Sequence, residues 1–231
     1  MVKNHLKRLA VPKSWDIKRK ENKFIVRPSS GGSKLEHSMP ILVVFRDIFE
    51  RAKTLKEVKY ILNNKEILLN DKRIKKHDAS VGLMDIVSIP ETKESFRMLI
   101  NKKGKITFVP VDPSEANITF LKIINKTKVK GGKIQLNFSN GKNMISENAS
   151  YATGDVLVVE NPGNNIKEHL KLEKGYFAYL TGGKHIGTAG KVEEIKGNNL
   201  VLKSTENNIF ETLKKYAFII GKDKPIIKLS E

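Results

Sequence analysis

The chain contains no cysteine. That removes disulfides, thiolate nucleophiles and cysteine-ligated zinc together. Aromatic residues are few, 7% of the chain with a single tryptophan. Long apolar runs are missing as well. The longest, ILVVF at 41–45, falls far short of the roughly 20 residues needed to span a bilayer. The opening stretch, MVKNHLKRLAVPKSW, holds no apolar core of signal-peptide length. The chain therefore reads as soluble and cytoplasmic. The five histidines, His5, His37, His77, His169 and His185, stand at no ligand spacing, so neither a metal nor a cofactor is expected.

Acid is the other scarcity. Only 25 Asp and Glu stand against 43 Lys and Arg, a formal net charge of +18 over 231 residues. Such an excess repels itself unless a polyanion neutralises it. Nucleic acid is the first partner to consider and an anionic membrane surface the second. The charge is spread: residues 1–40 carry +7, 41–90 carry +3, 91–175 carry +5 and 176–231 carry +3.

Residues 1–40 hold ten Lys and Arg against three acids, together with Pro12, Pro28, Gly31, Gly32 and Pro40. They show little periodicity. A free segment of this composition buries too little to offset its ordering entropy, so a basic arm that orders on its partner is expected. Its basic residues, Lys3, Lys7, Arg8, Lys13, Lys18, Arg19, Lys20 and Arg27, are candidate phosphate contacts. Trp15 is expected to anchor this arm on the next module rather than to stack on a base.

Residues 41–90 are the most regular. Ile41, Phe45, Ile48, Phe49 and Ala52 fall on one helical face, with Arg46, Glu50 and Arg51 opposite. Thr54 and Glu57 form a Thr-x-x-Glu capping box that predicts a second helix. Leu55, Val58, Ile61 and Leu62 would be its buried stripe, Lys56 and Lys59 its outer face, and Asn63–Asn64 its end. A hairpin turning at Asn70–Asp71 and a strand stopped by Pro90 complete a compact α+β module. Asp85, and later Asp155, read as turn residues before strands rather than catalytic carboxylates.

From residue 91 the signals are β. KTKVKGGKIQLNFSNGKNMI carries two hairpin turns, Gly131–Gly132 and Asn140–Gly141. YATGDVLVVE gives another strand, VEEIKGNNLVLKS a turn-linked pair and YAFIIG a late strand. The glycine-rich stretch YLTGGKHIGTAGKVEEI, 179–195, raises the question of a nucleotide site. A P-loop needs Gly-x-x-x-x-Gly-Lys-Ser/Thr between a strand and a helix. Lys191 follows Gly190, but His185 stands where the first glycine is required and Val192 where Ser or Thr must be. Lys184 follows Gly183, but Ala178 takes the first position. No Gly-x-Gly-x-x-Gly turn occurs, and KVEEI alternates as a strand does. The stretch reads instead as strand, loop and returning strand. Gly187 and Gly190 would supply conformations that side chains disfavour, and Lys184 and His185 would project from the tip.

GGKHIGTAGKVEEI resembles a KOW motif, although Tyr176 follows Gly175 where that pattern usually has Asp. VKYILNNKEILLNDKRIKK with VGLMDIVSI is similar to the S-four-type RNA-binding domain. That resemblance implies that Arg46, Arg51, Lys53, Lys56, Lys59, Lys72, Arg73, Lys75 and Lys76 face folded RNA. HLKRLAVPKSW, KFIVRPSSG, GLMDIVSIP, KVKGGKIQLNF and YLTGGKHIGTAGKVEEI occur in this order. Together they resemble the e-type small-subunit ribosomal protein four family of archaea and eukaryotes over essentially the whole chain.

The fold class expected is multi-module, α+β and all-β. It comprises a basic N-terminal arm (1–40), a small α+β S-four-type RNA-binding domain (41–90), a central small β domain (91–174) and a C-terminal SH3-like β-barrel with a KOW motif (175–231). The resemblance implies a structural constituent of the small ribosomal subunit. Its partners would be small-subunit ribosomal RNA and neighbouring small-subunit proteins, with no membrane and no small-molecule substrate. The alternatives are an RNA-modifying enzyme, such as a pseudouridine synthase or methyltransferase, and a KOW-type transcription elongation factor. The former would need an Arg-Leu-Asp signature or a glycine-rich cofactor turn, and the sequence has neither.

Overall fold

A computed structural model of the chain describes residues 5–113, 115–146, 150–163, 165–204 and 207–229. It is mostly antiparallel β with few helical turns. The chain divides into two compact units, residues 1–99 with 105–117 and residues 100–104 with 118–231. Among the described residues no helix is long and apolar enough to cross a membrane, and no group of metal-binding side chains is assembled.

The first unit opens with β1 (Leu6–Lys7), paired antiparallel with β2 (Phe24–Ile25). The basic segment is not a free arm. Val11, Trp15, Ile25 and Met39 are buried, and Trp15 is 0% exposed with its indole N–H donating to the Leu35 carbonyl at 3.4 Å. Composition underrated the segment because a few large side chains supply its core. β3 (Ser38–Pro40) leads into α1 (Ile41–Val43), which widens at once into a π turn over Val44–Ile48. The regular helix expected through Ala52 is therefore cut short. The Phe49 N–H reaches back to the Val44 carbonyl at 2.8 Å, and Glu50 takes a positive φ of 52°. The wider turn sets Phe49 against Phe96 and Phe108, with ring centroids at 4.6 and 5.2 Å. Aromatic packing outweighs the ideal helical period here.

α2 (Leu55–Asn64) begins at the expected capping box. The Glu57 N–H donates to Thr54 Oγ1 at 3.2 Å, and the Lys53 N–H donates to Glu57 Oε2 at 2.7 Å. Val58 and Leu62 are buried and Ile61 half-buried, but Leu55 is 39% exposed and lies outside the stripe.

The remaining strands of this unit are β4 (Leu68–Leu69), β5 (Lys72–Arg73), β6 (Ser80–Gly82), β7 (Ile86–Ile89), β8 (Glu94–Ile100) and β9 (Ile106–Pro110). β6 pairs with β3, and a five-stranded sheet runs β5-β4-β7-β8-β9. The β4–β5 turn has φ of 48° at Asn70 and 66° at Asp71, the two positive values of a type I′ hairpin turn. Asp85 holds the turn before β7: its carboxylate accepts from the Gly82 N–H and from Asn70 Nδ2, both at 2.7 Å.

The second unit has two five-stranded antiparallel sheets. One contains β10 (Ile118–Lys128), β11 (Ile134–Phe138), β12 (Asn143–Ser146), β13 (Val156–Glu160) and β14 (Asn165–Leu170), in the order β12-β11-β10-β13-β14. Leu121, Ile123, Leu136, Phe138, Leu157 and Val159 form its core. Asp155 again serves a turn, accepting from the Ala152 N–H at 2.9 Å and the Leu172 N–H at 3.0 Å. The other sheet contains β15 (Phe177–Leu180), β16 (Ala189–Lys196), β17 (Asn199–Ser204), β18 (Ile209–Leu213) and β19 (Ala217–Gly221), in the order β18-β17-β16-β15-β19. Its outer strands are β18 and β19. Among the described residues no ladder joins them, so the expected closed barrel is not found. Lys122 of β10 bridges the two sheets, donating to the backbone carbonyls of Lys215, at 2.8 Å, and Ala217.

Candidate nucleic-acid interface

The arginines and the lysines take different places. Arg8 is 1% exposed; it donates to the Lys18 carbonyl and pairs with Glu21 at 3.0 Å and Asp47 at 3.1 Å. Arg19 gives its guanidinium to the carbonyls of Leu9, Val11 and Pro12 at 2.9–3.3 Å. Arg46 donates twice to Asp47, at 2.8 and 3.1 Å. Arg51 pairs with Glu94 and lies over the rings of Phe49 and Phe96 at 5.8 and 5.9 Å. These four candidates are engaged by groups of the first unit itself, and in Arg8 and Arg19 the planar fork satisfies several acceptors at once. Charge counting gave them the same weight as lysines.

Of the other N-terminal candidates, Lys7, Lys13, Lys18, Lys20 and Arg27 are exposed. Lys3 lies outside the described residues.

A second group gathers around α2 and the β4–β5 hairpin. Lys53, Lys56 and Lys59 are exposed, as are Lys72, Arg73, Lys75 and Lys76. The Arg73 guanidinium donates to the Asn63 carbonyl at 3.2 Å. That bond closes the last turn of α2 and sets the hairpin beside it. Lys59 lies four residues before Asn63, about 6 Å along the axis, so the hairpin cations and the helix cations are neighbours. Tyr60, 66% exposed, stands on the same helix. Its position off the Val58–Leu62 stripe is the one mark it leaves in the sequence. It supplies an aromatic face of the kind that unpaired bases stack on. Glu57, the one acid of α2, is held below the usual carboxylate range by the Lys53 backbone N–H first and the Thr54 hydroxyl second. It belongs to the cap.

The glycine-rich loop of the second unit runs between β15 and β16. Gly187 has φ of 76°, and a Cβ there would stand 2.3 Å from the Asn101 carbonyl, so only glycine fits. Gly190 has no positive φ. It lies in β16, where a Cβ would meet the Lys203 carbonyl oxygen at 2.6 Å. Close strand packing, not an unusual backbone, requires that glycine. Lys184 is exposed at the tip. His185 does not project beside it: its ring stacks on Phe210 at 4.5 Å with planes 20° apart.

One strongly basic element lay outside the expected set. Lys126, Lys128, Lys130 and Lys133 stand along the β10–β11 hairpin, all exposed. The signal was available, because residues 116–146 contain no Asp or Glu.

A basic, mostly β chain with clustered exposed lysines has the charge character of the class of proteins that bind polyanions. Comparison with known proteins narrows the class. Residues 92–166 match the model described as "Ribosomal family S4e", and residues 2–36 match the "RS4NT (NUC023) domain". The small ribosomal subunit protein eS4 of Methanosphaera stadtmanae is 40% identical over 232 residues, covering 98% of this chain and 96% of that protein. The eS4 of Methanocaldococcus jannaschii is 39% identical, covering 98% of each. The crystal structure of 30S ribosomal protein S4e from Thermoplasma acidophilum superposes with a TM-score of 0.70 at 30% identity, over 80% of this chain and 96% of that one. The chain belongs to the S4e family of ribosomal proteins.

Proposed function

We propose that this chain is a structural constituent of the small ribosomal subunit. On this reading it is cytoplasmic, binds small-subunit ribosomal RNA and contacts neighbouring small-subunit proteins. The observation that carries the reading is its match along 98% of its length to relatives named small ribosomal subunit protein eS4. The family descriptions and relatives above lend no support to the RNA-modifying-enzyme or elongation-factor alternatives.

Residues 41–90 serve as the S-four-type module, with Lys53, Lys56, Lys59, Lys72, Lys75 and Lys76 as phosphate contacts and Tyr60 as a stacking platform. Support comes from their exposure and from the Arg73–Asn63 bond that holds hairpin and helix together. Lysine ammonium groups set affinity and orientation on phosphates without reading base edges. The exposed cations of 5–27 and Lys184 add further contacts. Within 175–231 the KOW-type unit is the pair β15–β16 with its glycine loop.

The test is sedimentation. Cell extract fractionated on a sucrose gradient is expected to place the chain stoichiometrically in the small-subunit peak, resistant to moderate salt. Presence only at the top of the gradient overturns the reading. For the site, Lys56→Glu with Lys59→Glu is expected to weaken binding to a small-subunit ribosomal RNA transcript with the fold intact. Normal binding by the folded double variant removes this face as the docking surface.

A further inference from the structure

We infer that the β10–β11 ribbon is a separate RNA-binding element that lies along a double-helical segment. This rests on the reading of the chain as an RNA-bound ribosomal protein, and it assigns an RNA contact to lysines of the second unit that are not among the candidates named above from the sequence.

The ribbon is held to its sheet through β11, which pairs with β12, and through Lys126 Nζ, which donates to the Tyr151 carbonyl at 2.6 Å. The fully buried core of the sheet ends at Ile123 on β10 and at Leu136 on β11, with Ile134 packed against it. Beyond it, residues 124–128 of β10 are all exposed. A register shift between Ile123 and Asn125 marks the departure. Such a bulge bends and twists a strand pair away from its sheet. From Ile124 to the turn the ribbon extends about 20 Å at 3.3 Å per residue.

Its two faces differ. Lys126 stands opposite Leu136, and Lys128 opposite Ile134, so these lysines continue the face that carries the last apolar side chains of the core. The other carries a hydrogen-bonded ladder. Asn137 Nδ2 donates to Thr127 Oγ1 at 3.0 Å, and Gln135 Nε2 donates to Asn137 Oδ1 at 2.8 Å. Lys130 and Lys133 flank the turn. Gly131 and Gly132, with φ of 83° and 73°, have nothing within 4 Å of a Cβ position. The tip is bare backbone that can approach a partner closely.

Lys128 and Lys130 follow one another toward the turn, where like charges repel, and residues 116–146 contain no acid. A polyanion relieves that repulsion. The chemistry favours a duplex over a single strand. Residues 121–137 contain no aromatic side chain, and single-strand binders need aromatic platforms for unstacked bases. An A-form duplex offers phosphates to the lysines, and its wide minor groove offers 2′-hydroxyls to the Thr-Asn-Gln ladder.

The experiment uses the full chain and three variants: Lys128→Gln with Lys130→Gln and Lys133→Gln, the same three positions changed to Arg, and Lys56→Glu with Lys59→Glu. Circular dichroism melting confirms that each is folded. Binding is measured across a salt series to a small-subunit ribosomal RNA transcript, a 16-base-pair RNA duplex and a 16-nucleotide oligo(U). The Gln variant is expected to lose about tenfold or more in duplex affinity and to flatten the plot of log K against log salt by roughly 2 units. The Arg variant is expected to restore both. A Gln variant with the wild-type slope, while the Lys56/Lys59 variant loses transcript binding, overturns the ribbon and leaves the functional reading standing. Ribbon-dependent binding that prefers oligo(U) to the duplex overturns the choice of partner. A wild-type chain that fails to bind the transcript overturns the functional reading and the ribbon with it.

Discussion

The Arg8 guanidinium donates to Asp47 Oδ1 at 3.1 Å across 39 residues, tying the N-terminal segment to the end of the π turn. Arg8 is buried and also holds Glu21 at 3.0 Å. Removing one partner of a buried ion pair typically costs about 3–5 kcal/mol. Arg8→Ala is therefore expected to lose about 3 kcal/mol in denaturant unfolding. Arg8→Lys recovers little of it, because one ammonium cannot replace the fork. Lys7→Ala, next door on the surface, stays within about 0.5 kcal/mol. Equal effects at the two positions would remove the pairing from the account.

Trp15 reports on the same segment. Its burial beside Leu35 predicts a blue-shifted emission and weak acrylamide quenching in the free protein. Adding the ribosomal RNA transcript is expected to leave that emission unchanged, since an anchoring indole does not meet a base. Strong quenching on RNA addition would show that it stacks.

Alkaline titration probes the second unit through two buried groups. Burial pushes the Lys122 ammonium down to about 8, against 10.5 in the unfolded chain. Burial raises the Tyr179 hydroxyl to about 12, against 10.0, with the Ile100 backbone bond opposing the shift. Below pH 8 both states protonate Lys122, so its burial penalty is present in full. Between about 8 and 10.5 the unfolded chain binds more protons, and stability rises with pH. For Tyr179 the stabilisation is complete below pH 10 and is lost as pH rises through 12. Each contributes about 3 kcal/mol. Denaturation followed by circular dichroism is expected to show stability climbing above pH 8 and falling beyond about 10. Lys122→Met should abolish the climb, and Tyr179→Phe the part of the fall due to that hydroxyl. A variant that keeps its climb would assign it to other groups.

A pair of glycines separates strain from collision. Gly197 has φ of 58° with open space around it, whereas Gly187 has φ of 76° and the Asn101 carbonyl at 2.3 Å from a Cβ position. Gly197→Ala is expected to cost about 1 kcal/mol, from backbone strain alone. Gly187→Ala should cost distinctly more, at least about 3 kcal/mol, since strain and clash combine. Thermal melts of both variants check the order, and a reversal would discard the close approach.

Local chemistry was readable and distant pairing was not. The capping box at Thr54–Glu57 and the turns at Asn70–Asp71, Gly131–Gly132 and Asn140–Gly141 act within a few residues, so the sequence displays them. The loop TGGKHIG between two strands is likewise plain in the sequence. Arg8 and Asp47 carry no local sign of each other, and Trp15 meets Leu35 only after the chain has turned back. For that reason the 1–40 segment reads from sequence as a free arm. The π turn escaped because a period of 3.6 describes Ile41 to Ala52 well until the Phe49, Phe96 and Phe108 rings are assembled. Charge tallies ranked Arg46 and Arg51 with Lys56 and Lys59 because they weigh a fork and a point charge alike. The same tallies, taken over segments of 40 residues or more, averaged away the acid-free stretch at 116–146.

The chain has seven arginines, all between residues 8 and 97. Six donate to named partners within the protein: Arg8, Arg19, Arg46, Arg51, Arg73 and Arg97, the last to the Glu115 carbonyl at 3.3 Å. Two kinds of cation thus sit under two kinds of constraint. At an exposed lysine, exchange with arginine keeps the charge and little else is asked of the side chain. At Arg8 and Arg19 the same single exchange in reverse removes fork geometry that several carbonyls or carboxylates depend on. Drift in base composition can convert the outside of this molecule from one basic residue to the other almost freely, while these two arginines stay fixed.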